Sequence, residues 1–273
     1  MEDMEKTKIH VARPMKMKNS EIESPVDIII PFRGQYEKVT RCVESIFRFT
    51  SHHEYKITLV DDASKNSNFI KRLSDLEGIH IETNEKVQIL NCLRNPQQLG
   101  FVGSLEVGFH YTDKNWVIFM NSDVEIQDVN WLDNLKKTMF NLKNHGVKMV
   151  AAKNTNPCGH DRMKCDDSTE DYILEDGYLS LECVLFHRDL FRYIGGFLKN
   201  YFPGWYEDEE LAFRMKQYGY KQAICGKCCV FHHGQATISD LWKEKIKFKH
   251  IMKSNREKCI EDIKKLLSTT KKG

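Results

Sequence analysis

The chain has 273 residues, 41% of them hydrophobic and 29% charged, which is ordinary globular composition and excludes disordered and fibrous classes. Its 41 basic and 39 acidic side chains leave a net charge of +2, so there is no basic field of the kind a nucleic-acid binder carries. No apolar run approaches the roughly 20 residues of a membrane span, and residues 1–24 lack an apolar core, so they read as a flexible tail and not as a signal or anchor. The nine cysteines are odd in number and scattered, which points to reduced thiols and a cytoplasmic setting.

Val26 to Pro31 is a continuous β-branched run stopped by proline, the mark of a buried strand. Phe32 to Gln35 forms a loop, and Val39, Cys42, Val43, Ile46 and Phe47 then recur at helical spacing. Lys56 to Val60 is a second strand ending in Asp61-Asp62-Ala63-Ser64, with helical intervals from Phe69 to Leu76 after it. Strands at Ile79–Glu82 and Val87–Leu90 lead through an Asn95-Pro96 turn to a helix over Leu99–Tyr111. That helix holds Gly100, Gly103 and Gly108. Each glycine costs about 1 kcal/mol relative to alanine, so close packing or ligand approach must offset them.

Val117 to Met120 is the next buried strand, and it ends abruptly in Asn121-Ser122-Asp123. Strands separated by helix-length segments imply parallel pairing with right-handed crossovers. Carboxylates at the ends of such strands lie in the crevice where open α/β sheets bind ligands. A helix over Val129–Leu142 and a strand over Val147–Ala152 follow. Residues 154–176 lack periodicity and read as a mobile loop. Tyr178–Phe186 alternates like a strand, and a short helix runs to Tyr193 before Gly195-Gly196. Gly204 to Leu211 opens a helix that stops at Gly219. Tyr220–Ile224 and Cys228–Phe231 are strand candidates before His232-His233, and Ile238 to Leu267 is mostly helical and basic.

Acidic residues therefore cluster at three element ends: Asp61-Asp62, Asp123, and Glu207-Asp208 with Glu210. Hard oxygen ligands with an imidazole suit Mn²⁺ or Mg²⁺, ions that usually accompany a phosphate-bearing substrate. The Cys225, Cys228, Cys229, His232, His233 group has the look of a zinc knuckle, but strand alternation would point neighbouring side chains to opposite faces.

Over about residues 25–234 the chain resembles a family 2 glycosyltransferase of the GT-A fold. Leu59 to Ser64 is similar to the Val-Asp-Asp-Gly-Ser signature, Asn95 to Gly108 to the Asn-x-x-x-x-Gly segment, and Phe119 to Val124 occupies the place of the Asp-x-Asp metal motif. Tyr206 to Leu211 matches the Glu-Asp-x-Asp/Glu-Leu motif, and His232 falls where a late histidine completes the metal site. The resemblance implies an α/β fold with a mostly parallel Rossmann-like sheet, a GT-A domain over 25–235 and a C-terminal helical extension over 236–273.

It further implies inverting, metal-assisted transfer of a sugar from a nucleotide-diphosphate donor to a hydroxyl acceptor such as a glycan. Asp208 would be the base with Glu207 beside it. Pro31, Arg33, Asp61, Asp62, Asn95, Gly100, Asn121 and Ser122 would contact the donor. Asp123 and His232 would hold Mn²⁺ or Mg²⁺, and Trp205 and Glu210 would face the acceptor. Glu210 also has Arg214 at i+4, the spacing of a helical salt bridge. Asn121 departs from the family's usual aspartate, as in the rhamnosyltransferase-like members.

Two rival readings are an inert nucleotide-sugar binder and a sugar-phosphate nucleotidylyltransferase. The latter needs a Gly-rich basic loop that Phe32-Arg33-Gly34-Gln35 does not supply. The basic C-terminal helix, with Ile238, Leu241, Trp242, Phe248, Ile251 and Met252, either packs on its own domain or touches an anionic membrane surface.

Overall fold

The computed structural model describes residues 24–50, 53–65, 80–83, 86–197, 201–234 and 245–270. Strand β1 (Val26–Phe32) leads to helix α1 (Tyr36–Phe49), β2 (Tyr55–Asp61), β3 (His80–Thr83), β4 (Lys86–Arg94) and α2 (Gly100–Tyr111). Then come β5 (Trp116–Met120), β6 (Val124–Glu125), α3 (Trp131–Leu142), β7 (Val147–Asn154), β8 (Tyr172–Ile173) and β9 (Cys183–His187). Helices α4 (Asp189–Ile194) and α5 (Glu207–Gln217), strand β10 (Lys221–His232) and helix α6 (Lys245–Thr270) close the chain.

Among the described residues the ten strands form one open sheet in the order β3-β4-β2-β1-β5-β9-β7-β10-β6, with β8 on β10. Strands β4, β2, β1 and β5 pair in parallel, as helix-length connections require. Beyond β5 the sheet is mixed: β9 runs antiparallel to both β5 and β7, and β7 is parallel to β10. Strands β4, β2, β1 and β5 deliver their C-terminal ends to one edge, while β3 runs antiparallel to β4. Asp61-Asp62 and Asn121-Ser122-Asp123 therefore lie along that edge.

Continuous apolar runs are explained by burial on both faces. Ile28, Ile30, Ile57, Ile118 and Met120 point to one side, where they pack with Val39, Cys42 and Ile46 of α1 and Trp131 and Leu135 of α3. Ile29, Val60, Val117 and Phe119 point to the other side, against Val102 and Leu105 of α2, Phe191 of α4 and Leu211 of α5. At the far end of the sheet Arg188 binds Asp27 at 3.2 Å and donates to the Lys114 and Phe109 carbonyls and the Thr112 hydroxyl.

Several expectations need correction. Residues 154–176 are tied down: Met163 is fully buried, Lys153 binds Asp166, β8 joins β10, and a disulfide links Cys165 to Cys229. That disulfide also corrects the expectation of wholly reduced thiols. The strand expected from Tyr178 begins at Cys183, and the residues before it line the cleft. The two short strands before His232 are one strand, interrupted by a register shift between Cys225 and Cys229. Helix α6 packs on its own domain through buried Asn255 and Cys259, and Asn255 donates to the Gly204 carbonyl at 2.8 Å. Residues 1–23, the helix expected over Phe69–Leu76, and Ile238, Leu241 and Trp242 fall outside the described residues. No described helix is long and apolar enough to cross a membrane.

The α2 glycines have the close-packing use their cost demanded. A Cβ on Gly108 would collide with the Ile29 side chain, and one on Gly100 would meet the Pro203 carbonyl at 2.8 Å. Gly108→Ala gains about 1 kcal/mol of helix propensity but overpacks the sheet contact, which typically costs about 1–3 kcal/mol. We expect net destabilisation, read as a lower melting temperature. An unchanged or higher value would show that α2 can lift off β1 at no cost.

Candidate functional site

A cleft of about 630 Å³ opens at the C-terminal edge of the parallel strands. Pro31, Arg33, Asp62, Gly100, Asn121, Ser122, Asp123, Trp205, Glu207, Asp208 and His232 all line it. They come from stretches of chain far apart in sequence, the last of them β10, which adds His232.

On one side Asp62 accepts from the Leu99 and Gly100 amides at 2.6 and 3.0 Å and from the Asn95 side chain at 3.1 Å. It caps α2 from outside the helix, so that helix N-terminus is already answered by a carboxylate. Arg33 donates to the Asp62 and Ala63 carbonyls at 2.6 and 3.1 Å, which holds its guanidinium at the cleft wall. Asp61 is different. It is fully buried, binds Arg94 at 2.9 Å and accepts from the Ser64 amide at 3.0 Å. The expected donor contact through Asp61 is therefore corrected to a structural role. Asn95 likewise sits beneath Asp62, 1% exposed and bonded to Ser104, and does not line the cleft.

In the middle, β6 pairs with β10 so that His232 sits beside Val124, and the His233 amide donates to the Asp123 carbonyl at 3.0 Å. The His232 Nδ1 lies 3.0 Å from the Asn156 carbonyl, which can only accept, so Nδ1 carries a proton. Nε2 then faces Asp123 Oδ1 at 3.2 Å. In a neutral imidazole these would be two lone pairs in opposition, and a proton or a cation between them relieves the conflict. Burial alone would raise the Asp123 carboxyl and lower the imidazole. The contact between them wins, so Asp123 sits below and His232 above its ordinary range.

Asn121 Oδ1 adds a buried acceptor without a partner among the described residues. This donor set fits a divalent ion. Among the described residues no three His, Cys, Asp or Glu groups converge as a cage, so two side chains would hold the ion and leave positions for phosphate and water. Of the zinc-knuckle residues, Cys229 is consumed by the disulfide, Cys225 pairs with the Thr138 hydroxyl, and His233 binds Glu125.

On the far side Trp205 and Tyr206 both take left-handed backbone angles, φ 74 and 72, immediately before α5. That turn points Glu207 and Asp208 into the cleft. Glu207 Oε2 and Asp208 Oδ1 are buried oxygens without hydrogen-bond partners among the described residues. Burial, with Glu209 nearby, pushes the Glu207 carboxyl up to about 7. Burial, with Glu207 and Glu182 close by, pushes Asp208 well above its usual range. Glu210 does not join them. It is 1% exposed and forms a two-point bridge to Arg214 at 2.7 and 2.8 Å, which corrects its expected acceptor contact.

Sequence reasoning missed Glu182 and Cys158, both of which line the cleft. Glu182 is 3% exposed and accepts from the Cys158 amide, Asn154 and Ser180. It lies one residue outside β9, where alternation carries no mark of function. The only available signal was an acid inside an otherwise apolar run.

An open α/β sheet with a carboxylate-lined cleft at its strand ends defines an α/β fold that binds its ligand at that edge. Residues 27–190 match the family model described as Glycosyl transferase family 2, and the chain belongs to that family. Its fold is GT-A. GalNAc-T7, solved with UDP, GalNAc and Mn²⁺, matches at TM-score 0.60 and 16% identity over 76% of this chain and 43% of its own. The mannosyltransferase PcManGT of Pyrobaculum calidifontis, solved with GDP-Man and Mn²⁺, matches at TM-score 0.54 and 14% identity, covering 76% of this chain and 56% of its own. TarS of S. aureus, residues 1–349, matches at 0.54 and 16%, covering 78% and 61%. In sequence, the uncharacterised protein y4gI of Sinorhizobium fredii is 21% identical over 234 residues, 78% of this chain. The chain spans only a quarter of that relative's length.

The raised Glu207 carboxyl has a stability consequence. The folded chain holds that proton more tightly than the unfolded one, so stability falls as pH rises from about 4.3, the ordinary value, to about 7. Glu207→Gln removes the penalty. The variant should match the parent near pH 4 and exceed it at pH 8 by up to about 4 kcal/mol, since each tenfold change in proton affinity is worth about 1.4 kcal/mol. Denaturant melts at both pH values check this, and equal gains at both would place the cause elsewhere.

Proposed function

We propose that the chain transfers a sugar from a nucleoside-diphosphate donor to a hydroxyl acceptor, with inversion and with help from a divalent ion. The observation that carries this reading is the cleft's polarity. Unpartnered carboxylate oxygens of Asp208 and Glu207 lie on one side, the Asp123–His232 pair in the middle, and Arg33 with Asp62 on the other. A donor lying across the cleft places its nucleotide toward Arg33 and its sugar toward Asp208.

An acceptor hydroxyl has a pKa far above 7 and needs a base as it attacks. Asp208 Oδ1 takes that proton while the acceptor oxygen bonds to the anomeric carbon. The bond from that carbon to the diphosphate breaks, with the electron pair leaving on the phosphate. Displacement from the side opposite the leaving group inverts the configuration. Its raised affinity for protons makes Asp208 a stronger base than an exposed aspartate. Glu207 shares the proton load as its buried neighbour. Asp123 and His232 would hold Mn²⁺ or Mg²⁺, which supplies positive charge to the departing diphosphate. Trp205, which lines the cleft, is the aromatic contact assigned to the acceptor. The acceptor is a glycan or another hydroxyl-bearing molecule.

Asp208→Asn keeps the shape of the base and removes its proton affinity. Transfer should fall by about 100- to 10,000-fold, with donor affinity measured by calorimetry nearly unchanged. Transfer at the parental rate would overturn the assignment, and nucleotide-sugar binding without any turnover in the parent would favour the inert binder. Asp123→Ala should raise the Mn²⁺ concentration needed for donor binding by at least about 10–100-fold, the range seen for losing even an outer partner of a metal ligand. Donor binding that keeps its full metal dependence in that variant would remove Asp123 from the ligand set.

A further inference from the structure

The residues behind His232 form a continuous hydrogen-bond chain that ends on a buried acid. His232 Nδ1 meets the Asn156 carbonyl at 3.0 Å. The Asn156 amide donates to Asn154 Oδ1 at 2.9 Å. Asn154 Nδ2 donates to Glu182 Oε2 at 2.8 Å. Both Asn154 and Glu182 are nearly inaccessible, at 1% and 3% exposure. The other contacts of Glu182 are the Cys158 amide at 3.1 Å, the Ser180 hydroxyl, and His232 Nδ1 itself, which lies 3.8 Å from Oε1.

Glu182 fixes the direction of the Asn154 amide, and beyond it the Asn156 main chain carries its own fixed polarity. A carboxylate surrounded by donors accepts only, so it must receive Nδ2 of Asn154 and not its oxygen. That leaves Oδ1 pointing at the Asn156 amide, which holds the 154–158 segment in place. The segment then presents the Asn156 carbonyl to His232. A carbonyl can only accept, which puts the imidazole proton on Nδ1 and leaves Nε2 facing Asp123.

We propose that Glu182 is a positioning residue for the metal site, holding the Asn156 carbonyl in place through Asn154 and facing Nδ1 itself at 3.8 Å, and so keeping the tautomer and aim of His232. It touches neither ion nor substrate in this role. The inference rests on the reading of Asp123 and His232 as ion ligands, and extends that reading to three residues that hold no ion themselves. Its physical content is specific to the acid. A glutamine at 182 can donate as well as accept, so the Asn154 amide is free to turn over and set its Nδ2 against the Asn156 amide.

The test is a Mn²⁺ titration of the full chain in the presence of UDP, followed by electron paramagnetic resonance. Side-chain ¹⁵N–¹H spectra of His232 in the metal-free chain, recorded at alkaline pH where the imidazole is neutral, give a second readout. Glu182→Gln should weaken Mn²⁺ binding about 10–100-fold and erode the Nδ1–H tautomer. Asn154→Ala should act in the same direction but less, because Glu182 keeps its own approach to Nδ1, and the double variant should lose little more than Glu182→Gln alone. Should Glu182→Gln fail to fold, Asn154→Ala interrogates that path alone. Asp123→Ala is the control. Loss of binding in Asp123→Ala with parental affinity and tautomer in the other variants overturns the relay and leaves the ion site standing. Parental affinity in all of them overturns both.

Discussion

The opposition of His232 Nε2 and Asp123 Oδ1 across 3.2 Å is the contact on which the rest of the site depends. It joins the end of the parallel half, where β5 runs out into Asn121-Ser122-Asp123, to the last strand of the mixed half. Without something positive between them, the two groups repel. With it, they close the sheet's edge around a cleft that already has a carboxylate-capped helix on one side and two underbonded acids on the other. The fold supplies the frame cheaply: buried β-branched strands and amphipathic helices. The charges at its edge are what the frame must hold against their own repulsion.

That division also decides what could be read from residues alone. Val26–Phe32 and Trp116–Met120 declare themselves because burial on both faces demands apolar side chains at every position. Helix α1 follows from its apolar spacing, and Val39, Cys42, Val43 and Ile46 of that pattern are its buried residues. The cleft's broad membership was legible too, since carboxylates at strand ends must converge in a parallel sheet.

Partner choice was not legible. Asp61 and Asp62 are adjacent, yet one is consumed by Arg94 from the neighbouring strand while the other caps a helix and meets the cleft. Nothing in a two-residue pattern separates them. Glu210 had a marked partner at i+4, and the structure shows that this bridge takes both of its oxygens. The order in residues 154–176 was invisible for a different reason. Its ties run to Cys229 and Glu182, distant in sequence, so the segment itself has no period to reveal. Glu182 hides in the same way, as an acid whose meaning lies wholly in what surrounds it.

The junction between Gly100 and Pro203 has a geometric consequence. The Phe101 amide donates to the Pro203 carbonyl at 2.8 Å, and Gly100 leaves no room there for even a methyl group. Backbone therefore lies directly on backbone between the helix that Asp62 caps and the turn that presents Trp205, Glu207 and Asp208. Such a seam acts as a fixed ruler. The distance between the two cleft walls at this point is therefore set where main chain meets main chain, while the side chains around it decide the chemistry of the rim.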